Sequence, residues 1–96
     1  MPTSLTARER AHLKARAHAL APVVIVGHAG VTPAVVAETQ RALTAHELIK
    51  VRVDVTDREA RRAFGEELAA SADAAVVHRI GKVVILWRPN PLDDDR

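Results

Sequence analysis

The chain has no cysteine and no tyrosine, and its only large aromatics are Phe64 and Trp87. Without thiols there is neither a disulfide framework nor a thiolate metal site, so packing alone must hold the fold. Aromatic residues at 2% leave too few rings for a sheet-borne stacking platform, which excludes base reading of that kind. Phe64 sits on a helical stripe and is expected in the core; Trp87 is expected to be a partly buried packing residue. Apolar runs fall far short of the roughly 20 residues that cross a bilayer, so no membrane association is expected. Met1-Pro2-Thr3-Ser4-Leu5-Thr6 lacks the cationic start and apolar stretch of a secretion signal, and a cytoplasmic protein is expected.

Catalytic constellations are missing as well. There is no HExxH, no GxSxG and no phosphate-binding Walker loop. His12, His18, His28, His46 and His78 are scattered, and Glu66-Glu67 reads as a solvated helix face. No nucleophile, base and orienting group assemble, so a non-enzyme without cofactor, metal or small-molecule substrate is expected.

What is present is a basic chain of 96 residues, the size of one small domain. Its formal charge of +2 understates this, because Asp93, Asp94 and Asp95 supply three of the twelve carboxylates. A basic body favours polyanionic partners. The expected organisation is one domain over residues 1–92 and an acidic tail over 93–96.

Thr6-Ala7-Arg8-Glu9 fits a capping box and predicts a first helix to about Ala19, with Leu13, Ala17 and Leu20 as a narrow apolar stripe in a basic circumference. Val23 to Val26 shows no polar alternation and predicts a strand covered on both faces. Thr32 and Pro33 open a second helix to about His46, with Val35, Val36, Thr39 and Leu43 on its buried side. Leu48 to Val55 alternates, with Lys50, Arg52 and Asp54 facing outward. Thr56-Asp57-Arg58-Glu59 predicts a second capping box, before a helix that buries Ala60, Ala63, Phe64, Leu68 and Ala72. Ala75 to Ile80 and Val83 to Arg88 read as a hairpin across Gly81-Lys82, with glycine first as in a type II′ turn, and Pro89-Asn90-Pro91 stops the sheet. The order is helix, strand, helix, strand, helix, strand, strand: an α/β domain.

Between the first strand and the second helix lies Gly27-His28-Ala29-Gly30. A GXXG loop at the start of a helix is how KH-type modules clamp a nucleic-acid backbone: glycines admit close approach, and the helix supplies N–H groups and the positive end of its dipole. With no lysine or arginine in this loop, counter-charge has to come from Lys14, Arg16, His18, Lys50, Arg52, Lys82 and Arg88, provided that folding gathers them.

With these residues the chain resembles the CRM-domain family, the small RNA-binding module of bacterial YhbY-like proteins. The match runs through His12-Leu13-Lys14, Pro22-Val23-Val24, Gly27 with Gly30, His46-Glu47-Leu48-Ile49-Lys50-Val51, Asp57-Arg58-Glu59, Ile80-Gly81-Lys82 and Arg88-Pro89. The resemblance implies a four-stranded mixed sheet packed with helices, similar to the C-terminal domain of translation initiation factor 3. It implies a GXXG loop acting as in KH domains, with Lys14, Lys50 and Lys82 at the family's basic positions. It further implies association with ribosomal RNA in precursors of the large ribosomal subunit, and so a role in ribosome assembly. Ala15, Ala21 and Trp87 depart from the glycine, lysine and tyrosine common in relatives. Two other readings stand beside RNA binding: a module that docks on a ribosomal protein or assembly factor, and a DNA-binding module.

Overall fold

The structure, a computed structural model, describes residues 5–90. Residues 1–4 and 91–96, which include Pro91 and the acidic tail, lie outside the described residues. The elements run α1 (Ala7–Ala17), β1 (Pro22–Val26), α2 (Pro33–His46), β2 (Leu48–Val53), α3 (Arg58–Ser71), β3 (Ala75–Ile80) and β4 (Val83–Trp87). The strands form one sheet in the order β1-β2-β4-β3, with β1 parallel to β2 and the other pairs antiparallel. The α/β order and mixed four-stranded sheet are as expected.

The local signals hold at α1. Thr6 Oγ1 accepts from Glu9 N at 3.0 Å and Glu9 Oε1 accepts from Thr6 N at 2.9 Å, closing both halves of the box. The helix ends at Ala17, two residues before the expected boundary, so Leu20 lies beyond it and is 39% exposed. In α3 the cap falls one residue later than the proposed box: Asp57, not Thr56, accepts from Ala60 N at 3.0 Å. Packing on the sheet also sets the buried stripe differently from the expectation. Gly65, Leu68, Ala69 and Ala72 face the sheet, Ala60 and Phe64 are half-buried on one flank, and Ala63 is exposed.

A Cβ at Gly65 would meet Val84 at 3.8–3.9 Å, ordinary van der Waals contact, and its φ is not positive. Glycine therefore costs helix propensity here without a steric reason. Gly65→Ala should stabilise the domain by about 1 kcal/mol and raise Tm by about 4–8 °C. Thermal unfolding checks this; a lowered Tm would mean that α3 needs to approach the sheet more closely than a methyl allows.

Two cores lie on opposite faces of the sheet. Under α2 and α3, Val24, Val26, Ile49, Val51, Val53, Val84, Leu86, Leu43 and Leu68 pack together. Under α1, Leu13 and Ala17 meet Leu48, Val77 and Ile85, with Trp87 against them. Trp87 and Phe64 are both half-buried packing residues.

The second core is smaller because one short helix cannot cover four strands, and this corrects the expectation for β1. It is an edge strand with one face open: Val24 and Val26 are buried, while Val23 is 51% and Ile25 61% exposed. Four consecutive β-branched residues fit either situation, since their period says nothing about which face a helix covers.

Candidate nucleic-acid interface

The parallel pairing of β1 with β2, and the antiparallel return through β4, set three connections at one end of the sheet. Asp54 N donates to Val26 O at 2.7 Å and Val53 N to Lys82 O at 2.6 Å. The GXXG loop after β1, the segment entering α3 and the hairpin tip Gly81-Lys82 are thereby neighbours. Gly81 has φ +57° and Lys82 has no positive φ, the pattern of the expected type II′ turn.

The loop is a β-turn closed by Gly30 N donating to Gly27 O at 3.0 Å, with His28 and Ala29 exposed at its tip. Its two glycines have different causes. Gly30 is buried at φ +79°, and a Cβ there would press on the Phe64 ring at 3.2 and 3.3 Å, so the fold requires glycine. Gly27 is exposed, without positive φ and with open space where a Cβ would stand, so nothing in the fold requires glycine there.

Thr32 caps α2 by accepting from Val35 N at 3.2 Å, and Thr32 O takes Val36 N. Pro33 has no N–H. The first turn of α2 therefore presents only the Ala34 N–H, together with the dipole, to a ligand. At the loop tip the N–H groups of His28 and Ala29 make no hydrogen bond among the described residues. The His28, Ala29 and Ala34 N–H groups are thus open to an anion at this end of the sheet.

The expected cations separate into groups. Arg52 and Lys82 stand at the loop end, both beside Asp54, at 3.8 and 3.5 Å. Lys50 points the other way: its Nζ donates to Leu20 O at 2.9 Å and His18 O at 3.5 Å, fastening the α1–β1 connection. Arg16 and His18 belong to that opposite end, about 13 Å away along a five-residue strand. Lys14 lies near His78, where burial first, then the charges of Lys14 and Arg10, hold the imidazole below its ordinary pKa. Arg88 turns inward, with Nη1 on Ala72 O at 2.8 Å and Nη2 on Thr44 Oγ1 at 2.9 Å and Gln40 O at 3.2 Å.

A further group escaped the sequence reading. Arg58, Arg61, Arg62, Arg79 and Lys82 line an open cleft of about 740 Å³ between α3 and the β3–β4 hairpin, with Glu59 as its one lining carboxylate. The available signal was Arg58 and Arg62 four apart on one helix face; reading α3 only for its apolar stripe passed over it. Among the described residues no group of His, Asp and Glu could hold a metal ion, and no helix is long and apolar enough to cross a membrane.

Comparison with known proteins agrees with this architecture. Residues 5–88 match the CRS1 / YhbY (CRM) domain. A Pseudomonas aeruginosa protein named "probable RNA-binding protein" is 42% identical over 88 residues, covering 92% of this chain and 85% of the relative. A Haemophilus influenzae protein named "RNA-binding protein" is 41% identical over 88 residues, covering 92% and 89%. The solution structure of a hypothetical Staphylococcus aureus protein superposes with a TM-score of 0.81 at 24% identity, over 91% of each chain.

Proposed function

The chain belongs to the CRS1 / YhbY (CRM) domain family, and from that premise we propose that it binds RNA by its phosphate backbone at the GXXG loop. The observation that carries this reading is the set of unbonded N–H groups of His28, Ala29 and Ala34, next to Arg52 and Lys82 at the same end of the sheet. Gly27, which the fold does not need as glycine, lets a phosphate reach those donors. The loop then works as a KH-type clamp, holding the backbone without reading bases. Names of the Pseudomonas and Haemophilus relatives support RNA as the ligand. The family resemblance supports ribosomal RNA of large-subunit precursors as the target, and ribosome assembly, without catalysis, as the role.

An interface built on Arg52 and Lys82 is electrostatic. On a short single strand, two neutralised phosphates give a slope of about −1.4 in log affinity against log salt. Fluorescence anisotropy over a salt series measures it; a flat response would remove phosphate contact from the mechanism.

The open β1 edge, with Val23 and Ile25 exposed, favours a second reading in which the protein docks on a ribosomal protein or assembly factor. Nuclease treatment before gradient sedimentation separates the two. Loss of co-sedimentation with ribosomal particles follows from RNA binding; co-sedimentation that persists, and is reproduced with a purified protein, follows from docking.

A further inference from the structure

We propose that the arginine cleft between α3 and the β3–β4 hairpin is a second phosphate track, and that α3 is a ridge between it and the loop, so that the preferred ligand is paired RNA. The inference rests on the RNA-binding reading above and specifies the form of RNA bound.

The first observation is how the cleft's charges are matched. Glu66 Oε2 is shared by Arg79 at 2.8 Å and Arg62 at 3.5 Å, and Asp54 Oδ1 by Lys82 and Arg52. Glu66 and Asp54 thus each serve two cations, while exposed Arg58 and Glu59, the one carboxylate in the lining, make no ion pair among the described residues. Five cations against these three carboxylates leave a positive excess, and the side chains remain open to solvent, with 71% of Arg62 and 39% of Arg79 exposed. Arg61 differs: its Nη1 donates to Thr56 O at 2.9 Å and Val55 O at 3.2 Å, so it shapes the wall more than it adds a free donor.

The second observation is where the cleft lies relative to the loop. Successive α3 residues rotate by about 100°. Phe64, whose ring covers Gly30, and Ala60 occupy one flank of the helix; Arg58, Arg62 and Glu66 occupy the other. The loop and the cleft therefore lie on either side of one helix, and a helix with its side chains is about 10–12 Å across. Backbone bonds through Val26, Asp54, Val53 and Lys82 place both at the same end of the sheet. Two anion tracks separated by a helix width fit the two backbones bordering the wide, shallow minor groove of an RNA duplex, which proteins recognise by shape and phosphate contacts. A single strand held at the loop has to leave it and cross the α3 ridge to reach the cleft, whereas a duplex presents both backbones at once.

The test compares a hexameric single-stranded RNA with a hairpin bearing a stem of about 12 base pairs, bound to the full chain. In the double variant Arg58→Gln/Arg62→Gln, hairpin affinity should fall about tenfold or more, with the salt slope shallower by about 0.9 for each phosphate no longer neutralised. Hexamer affinity should change less than about twofold. Glu66→Gln, which releases Arg62 and Arg79, should tighten the hairpin about threefold; this keeps the test decisive should the double variant not fold. Equal weakening on both RNAs would mean one continuous single-strand path, and no change on either would remove the cleft from the site; both outcomes overturn the proposal. Wild-type protein that binds neither RNA would overturn the RNA-binding reading itself.

Discussion

Ala29→Asp should lower RNA affinity at low salt by at least about tenfold while leaving the fold intact. The tip of the GXXG loop is exposed, and aspartate is well tolerated in a β-turn, so stability should change by no more than about 0.5 kcal/mol. A carboxylate about 4 Å from a bound phosphate costs about 1 kcal/mol in bulk water and about 4 kcal/mol at the effective dielectric of a protein surface. The lower end alone is about fivefold, and a value of about 1.4 kcal/mol, inside this range, gives the tenfold expected here. Ala29→Lys distinguishes charge from bulk. Both substitutions enlarge the side chain, but lysine should tighten binding and aspartate weaken it, each effect shrinking as salt rises. Equal weakening by the two would point to steric obstruction, and no effect from either would take the loop out of the interface. Gly30→Ala is unsuitable as a probe, because a change in binding would be confounded by the positive φ and the contact with Phe64.

Arg88→Ala should destabilise the domain by about 2–3 kcal/mol and change RNA affinity of the folded protein by less than about twofold. The guanidinium joins the end of β4 to α2, through Gln40 O and Thr44 Oγ1, and to the end of α3, through Ala72 O. Hydrogen bonds to a charged group contribute about 1.5–3 kcal/mol, and truncation leaves Ala72 O without this partner. Gln40 O keeps the Thr44 hydroxyl as donor at 2.9 Å, which limits the loss. Lysine carries the charge but cannot span three acceptors in one plane, so Arg88→Lys should recover only part of the stability. Urea unfolding with anisotropy on the same samples reads both quantities. Unchanged stability with a tenfold loss of affinity would return Arg88 to the RNA-binding surface.

The contrast between Arg88 and Lys82 shows where sequence reasoning reaches its limit. Both are cations in the β3–β4 region and look alike in the chain. Lys82 sits on a hairpin tip and stays at the surface, whereas Arg88, one residue past β4, meets the ends of two helices distant in sequence. Lys50 shows the same: its alternation correctly placed it on the outer side of β2, but only folding brought the carbonyls of His18 and Leu20 within reach of Nζ. Conversely, the arginines of α3 become a cleft only because Arg79 and Lys82 return beside them.

By itself the sequence determined most of what depends on near neighbours, though it misplaced the α3 cap by one residue and the end of α1 by two. The Thr6 and Thr32 caps, the type II′ hairpin at Gly81, the alternation of β2, the order of elements and the GXXG turn all follow from residues within a few positions of one another, because capping, turn angles and side-chain period are local properties. The absence of cysteine and the scarcity of aromatics likewise excluded whole classes of chemistry before any fold was known. Tertiary structure alone decided that β1 is an open edge, that Gly30 is held against Phe64 while Gly27 is free, and which cations stand together. Those outcomes depend on the strand order and on the rotation of each helix about its axis, which are settled by packing between segments far apart in the chain.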